Sequence, residues 1–246
     1  MVVFVSSIIA ICALLCIFGL VIWREDRRQK LVGRLLVRWA QGVVKLFGIS
    51  THEQPLTWEL GATPRMIIAN HISYLDIVIL LSRGVPCLFL GKAEIRSWPL
   101  IGFVAKASGM IFVKRGSLFD RAKALIDVQK KLSQGFNVVV FPEGTTSLEG
   151  PLKRRGQFFS GAFRAARMSE RPIEVLYLDY EDQESCAWLG DQPFVEHLWS
   201  FLKIPLTRVR LRSKMFRNIA TRSDQRIAFE ATRQWMLDGG RKLTYL

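Results

Sequence analysis

Histidine is scarce in this chain, with only three in 246 residues, at positions 52, 71 and 197. Cysteine is nearly as scarce. Cys12, Cys16, Cys87 and Cys186 have no metal-ligand spacing and suggest no disulfide framework, which agrees with a cytoplasmic body. No GxSxG elbow marks a serine nucleophile. HExxH and GxGxxG are absent too, which removes common signatures of zinc peptidases and dinucleotide-binding folds. No metal site is expected. No internal repeat or low-complexity linker divides the chain, so one domain is expected. Zinc-finger spacing and recognition-helix signatures are also missing, so the net charge of +14 does not point to nucleic acid.

Residues 1–23 lack something else: Asp, Glu, Lys and Arg. An uncharged run of this length is long enough to cross a bilayer as a helix. Arg24, Arg27, Arg28 and Lys30 follow at once and favour the cytoplasmic side. The expectation is a single-pass anchor with a cytoplasmic catalytic body, at the inner membrane in a bacterium. A cleaved signal peptide fits less well, because the run has no charged n-region and no clear small-x-small site. Residues 24–50 carry seven basic and two acidic residues, and residues 203–246 carry eleven and three. The positive excess therefore lies in the flanks, and an anionic bilayer surface and its lipids are the expected partners. Within the first flank, Leu31, Leu35, Leu36, Trp39, Val43, Val44 and Phe47 recur at helical spacing, with Arg34, Arg38 and Lys45 between. This predicts a basic amphipathic helix over 24–50. Its apolar face lies either in the membrane interface or on the body.

From about residue 64 the pattern is α/β. Strands are expected at 66–69, 87–90, 110–113, 137–141 and 173–178, with an edge strand at 206–211. Helices are expected at 74–81, 118–132, 158–166 and 222–237. The 118–132 helix would bury Leu118, Ala122, Leu125, Val128 and Leu132. The fold class that follows is a single α/β domain over 51–246. It has a mixed, mainly parallel sheet covered by helices, preceded by the transmembrane helix and the amphipathic helix.

Three segments at strand ends carry chemistry. Asn70-His71-Ile72-Ser73-Tyr74-Leu75-Asp76 follows a strand directly, where α/β folds usually meet ligands. His71 and Asp76 stand about 140° apart on an ideal helix, so they meet only if the chain turns at 71–73 and the helix begins near Ser73, a good N-cap. A carboxylate on one ring nitrogen would fix the tautomer and support the proton gained by the other. Asp76 also fits a capping role with Ser73. Of the other histidines, His52 sits among polar residues before the sheet, and His197 in an expected surface segment. With no serine-nucleophile signature, a His–Asp base points to a substrate hydroxyl as the attacking group. Phe141-Pro142-Glu143-Gly144-Thr145-Thr146-Ser147 also follows a buried strand. It offers a carboxylate and three hydroxyls, with Lys153, Arg154 and Arg155 close behind. Glu143 also reads as a simple turn residue. Lys114 and Arg115 end a third strand, where a guanidinium suits a phosphate or carboxylate, and an ordinary basic turn fits as well.

In this order the blocks resemble the PlsC-type lysophospholipid acyltransferase family. NHxxxxD corresponds to Asn70, His71 and Asp76; a glycine–aromatic–arginine block to Gly109, Phe112 and Arg115; FPEGT to 141–145; and a proline-led strand to 171–175. The resemblance covers about residues 60–180. It implies transfer of a fatty acyl group from an acyl-CoA or acyl carrier protein thioester, with no bound cofactor. The acceptor is a lysolipid hydroxyl that His71 deprotonates with support from Asp76. It also implies that Arg115, Glu143, Gly144 and Thr145 hold the acceptor, with Lys114, Thr146, Lys153 and Arg154 as further candidates beside them. Thr146 departs from the family, which commonly has arginine there. The first expected acceptor is 1-acyl-glycerol-3-phosphate, and the alternative is lyso-ornithine lipid, since FPEGTT is similar to that branch. A hydrolase and an inactive membrane scaffold are the rival readings.

Overall fold

A computed structural model describes residues 24–54, 63–114, 116–148, 158, 160–190 and 192–240, together with Ser6 and Ala10. The elements run α1 (Glu25–Leu46), β1 (Ile49–Gln54), β2 (Met66–Ala69), α2 (Leu75–Ser82), β3 (Cys87–Lys92), a 3-10 turn (Ala93–Ser97), α3 (Ile101–Ser108), β4 (Ile111–Val113), α4 (Leu118–Ser133) and β5 (Asn137–Val140). They continue with α5 (Gly161–Met168), β6 (Ile173–Tyr180), a short α6 (Gln183–Cys186), α7 (Phe194–Phe201), β7 (Thr207–Phe216) and α8 (Arg222–Leu237).

Seven strands form one sheet in the order β1-β7-β6-β2-β5-β3-β4. Every neighbouring pair is parallel except β6 with β7. This is the expected α/β fold with a mixed, mainly parallel sheet. Parallel strands covered on both faces need apolar side chains at successive positions, and β2 (MIIA) and β5 (NVVV) supply them. Alternation along each strand divides them between two cores. Ile67, Ala69, Val139, Leu176 and Leu178 pack with α1, α2 and α7. Met66, Ile68, Val138, Val140, Ile173 and Val175 pack with α4, α5 and α8.

The expected transmembrane run, 1–23, lies outside the described residues apart from Ser6 and Ala10. Among the described residues no helix is long and apolar enough to cross a membrane. The amphipathic helix is present as α1, and its apolar face lies on the body. Val32, Leu36, Val37, Ala40 and Val43 are buried in the core, and Gly33 lets the helix approach Pro86, whose Cβ would be 2.9 Å from an added Cβ. Arg27, Lys30, Arg34, Arg38 and Lys45 stay exposed on the outer side.

Four local expectations are corrected. The boundary placed between residues 50 and 51 runs through β1, a strand the polar sequence ISTHEQ did not announce. Among the described residues β1 is an edge of the sheet, with β7 as its one neighbour. His52 therefore lies in the sheet, exposed, rather than ahead of it. β7 is no edge: it sits between β1 and β6. It alternates because Thr207, Val209 and Leu211 point inward while Arg208 and Arg210 reach solvent. On α4 the buried line is Ala124, Val128 and Leu132. Leu118 is 79% exposed, and Ala122 is exposed too.

At the strands' N-terminal edge, Glu174 of β6 is fully buried between Arg65 (3.6 Å) and Arg83 (3.4 Å). The segment 171–175, matched above to a fourth family block, therefore belongs to a structural ion network at the edge opposite His71. Removing one partner leaves buried charge uncompensated. Glu174→Ala is expected to cost about 3–5 kcal/mol in urea unfolding, with activity at low temperature retained.

Candidate active site

His71 stands two residues past the end of β2, so the strand carries it to the sheet's C-terminal edge. The chain turns there, and α2 begins at Leu75, which brings Asp76 back under the imidazole. His71 Nδ1 lies 2.8 Å from Asp76 Oδ2. The same oxygen accepts from the backbone N–H of Ile72 (2.7 Å) and of Ser73 (3.0 Å). Tyr180 donates its hydroxyl to Oδ1 at 2.5 Å. Ser73 is thus not the cap expected of it: it makes no side-chain cap, and the Asp76 carboxylate itself satisfies the turn's N–H groups. Capping and support of His71 are done by one carboxylate.

That carboxylate is fully buried and accepts a proton-bearing nitrogen, which places the lone pair of neutral His71 on Nε2. The ring stacks on Phe141, with centroids 3.9 Å apart and planes 12° apart. Its side chain keeps 17% of its surface exposed. A fixed, partly open imidazole of this kind can take a proton from a hydroxyl brought to Nε2.

The Glu143 loop leaves β5 at the same edge. Gly144 takes φ +67° and donates its N–H to Phe141 O (3.0 Å), closing the turn. His71 is held by both of its backbone groups: its N–H donates to Glu143 Oε1 (3.1 Å), and its carbonyl accepts from Ser147 N–H (2.9 Å). Glu143 Oε2 is buried and has no hydrogen-bond partner among the described residues. Burial pushes the Glu143 carboxyl up to about 8, against the lowering effect of the His71 N–H, and the Asp76 charge adds to the rise. A carboxyl with a raised folded value binds more protons folded than unfolded, so stability falls as pH rises from 4.5 towards 8. That loss is expected to be on the order of a few kcal/mol, and Glu143→Gln should flatten it in urea melts across this range.

A third segment, after β6, locks the first two. Trp188 donates its N–H to Ile72 O (3.1 Å) and accepts the Thr146 hydroxyl on its own carbonyl. Thr146, expected to face the acceptor, therefore has its hydroxyl turned to the chain. Asn70 completes the join, donating to Leu178 O (3.0 Å) and accepting from Leu178 N–H (2.7 Å).

The structure brings together His71, Asp76, Glu143, Gly144, Thr145 and Thr146 on adjacent loops. Lys114 ends β4, which β5 and β3 separate from β2, and it is exposed. Arg115, Lys153, Arg154 and Arg155 lie outside the described residues. Sequence reasoning missed Tyr180 and the role of Asn70. It also put His197 at the surface, whereas His197 is buried under Tyr74, with Tyr74 Oη and its Nδ1 3.0 Å apart. Burial holds that imidazole below its ordinary value. Among the described residues no group of three or more His, Cys, Asp or Glu is placed to hold a metal ion. A cavity of about 230 Å³, lined by Lys30, Arg34, Pro86, Cys87 and Phe136 among others, lies at the opposite edge of the sheet.

The site is thus a histidine held by a buried carboxylate at the end of a parallel strand of an α/β fold, beside a glutamate turn. The Acyltransferase family profile matches residues 51–177, and the chain belongs to that family, whose members act as acyltransferases. It is 32% identical over 196 residues to the lyso-ornithine lipid O-acyltransferase of Pseudomonas aeruginosa, covering 75% of this chain and 73% of that protein. It is 38% identical over 104 residues to a chloroplastic 1-acyl-sn-glycerol-3-phosphate acyltransferase of Arabidopsis thaliana, covering 42% of this chain and 28% of that enzyme. The fold is similar to the crystal structure of the 1-acyl-sn-glycerophosphate acyltransferase PlsC from Thermotoga maritima. The TM-score is 0.62 at 16% identity, over 99% of this chain and 98% of that one.

Proposed function

We propose that this chain moves a fatty acyl group from a coenzyme A or acyl carrier protein thioester to the free hydroxyl of a lyso-ornithine lipid. His71 Nε2 takes the proton of the acceptor hydroxyl as its oxygen attacks the thioester carbonyl. The tetrahedral intermediate then collapses, the C–S bond breaks, and the proton on His71 goes to the departing thiolate. Asp76 stabilises the imidazolium between the two steps. Glu143, Gly144 and Thr145, on the loop beside His71, face the acceptor. The body works at the cytoplasmic face of a membrane, anchored by residues 1–23, with the exposed basic side of α1 against anionic lipid.

The observation that carries the choice of acceptor is Thr146. Where an arginine would offer a fork to a phosphate, a small hydroxyl is spent on the Trp188 carbonyl. The likeness to the Pseudomonas lyso-ornithine enzyme, over three quarters of the chain, points the same way. The order of the two acceptors is thus the reverse of the one taken from sequence. Lysophosphatidate remains the second reading, favoured by the likeness to the plant enzyme.

The test is to supply the purified full chain with acyl-CoA or acyl carrier protein and a panel of lysolipids, and to identify products by mass. Acylated ornithine lipid is the expected product. Phosphatidic acid alone would replace the first reading by the second.

A further inference from the structure

Asp76 has a donor on each of its oxygens, and the one on the far side comes from another part of the chain. Among the described residues Oδ2 serves His71, Ile72 and Ser73, while Oδ1 serves Tyr180 alone. Tyr180 is the last residue of β6 and lies beyond the region matched by the family profile. Its placement is fixed: Asn70, next to His71, holds both backbone groups of Leu178. Leu178 and Tyr180 then share one face of the strand, packed in the same core as α2.

We infer that Tyr180 is a positioning residue for the His71–Asp76 pair: its hydroxyl fixes the carboxylate and draws off part of its charge, so that the proton taken up by His71 is readily returned. This rests on the base role proposed for His71. Without that hydroxyl, Oδ1 would be buried with no partner and the carboxylate would hold its full charge against the imidazole. The imidazolium would then be held too tightly, and fewer rings would be free to act as base at a given pH.

The groups facing the pair are Glu143 from the loop after β5, Cys186 from α6, Tyr74 from the turn before α2, and Tyr180 itself. Burial raises all four: Glu143 to about 8, Cys186 to about 11, and the two tyrosine hydroxyls above their ordinary values.

The test follows the ring of His71 by NMR in full-length protein carrying ¹³C-labelled histidine, alongside initial rates from pH 5 to 9. With three histidines in the chain, His71→Ala identifies the signal. In Tyr180→Phe the His71 midpoint and the acid limb of the rate profile are expected to move up by about half to one unit. The turnover number should fall roughly ten- to a hundredfold, as on loss of other orienting partners, with KM little changed. Fluorotyrosine placed at 180 alone keeps the side chain's size and makes it a stronger donor, so it should move both downward. It carries the test if Tyr180→Phe does not fold. A midpoint that stays in place in the folded variants, or a rate loss equal at every pH, would overturn the inference. A midpoint that moves while His71→Ala remains active would leave Tyr180 coupled to the pair but remove the base role.

Discussion

His71→Ala is expected to abolish acyl transfer, with a loss of about 10²–10⁴-fold, the range set by removing a general base. The protein should remain folded. Asp76 keeps its hydrogen bonds from Ile72, Ser73 and Tyr180, so no buried charge loses all of its donors. The losses to stability are one hydrogen bond and the stack on Phe141. Product formation and thermal melting on the same sample check this. A folded His71→Ala protein that acylates at the wild-type rate would refute the mechanism.

Asp76→Asn should be nearly as damaging, by about 10³–10⁴-fold in turnover, although the side chain keeps its shape. The precedent is a triad in which aspartate to asparagine leaves the geometry intact and presents the wrong tautomer. Here the amide must choose. With its oxygen at the Oδ2 position, it still accepts from His71 Nδ1 and the two backbone N–H groups, but it offers the imidazolium no counter-charge. With its NH₂ there, it faces three donors with a fourth. Steady-state rates from pH 5 to 9 test this, and unchanged turnover in a folded variant would show that the charge of Asp76 is dispensable.

The parts read correctly from sequence are those where local pattern and final environment agree. β2 and β5 are short unbroken apolar runs because helices cover both faces. The His71–Asp76 contact was legible because it needs only a turn of a few residues. β1 was not legible. An edge strand with one neighbour has no need of an apolar run, so ISTHEQ reads as loop. The outward arginines of β7 imitated an edge although two strands flank it. Ser73 has the chemistry of a cap, but Asp76 N–H donates to its backbone carbonyl (3.1 Å), and its hydroxyl has no partner among the described residues. Tyr180 lies 104 residues from Asp76, and no local periodicity reports such a contact. Thr146 looked like a substrate contact because its neighbours do. Only the position of the Trp188 carbonyl shows where its hydroxyl goes.

The strand order has a consequence for the birth of the enzyme. Among the described residues β1, the first strand synthesised, pairs only with β7, the last: Ile49 lies opposite Thr207. β2, which delivers His71, finds its partners only in β5 and β6. At roughly 5–20 residues per second, the ribosome needs on the order of ten to thirty seconds to make the chain between those outer partners. β2, β3, β4 and β5 can pair once residue 140 is made, but β1 waits for β7 throughout that interval, a high-contact-order pairing that slows folding. The nascent chain therefore carries His71 for most of its synthesis without its finished sheet, which closes only when the last quarter of the polypeptide emerges.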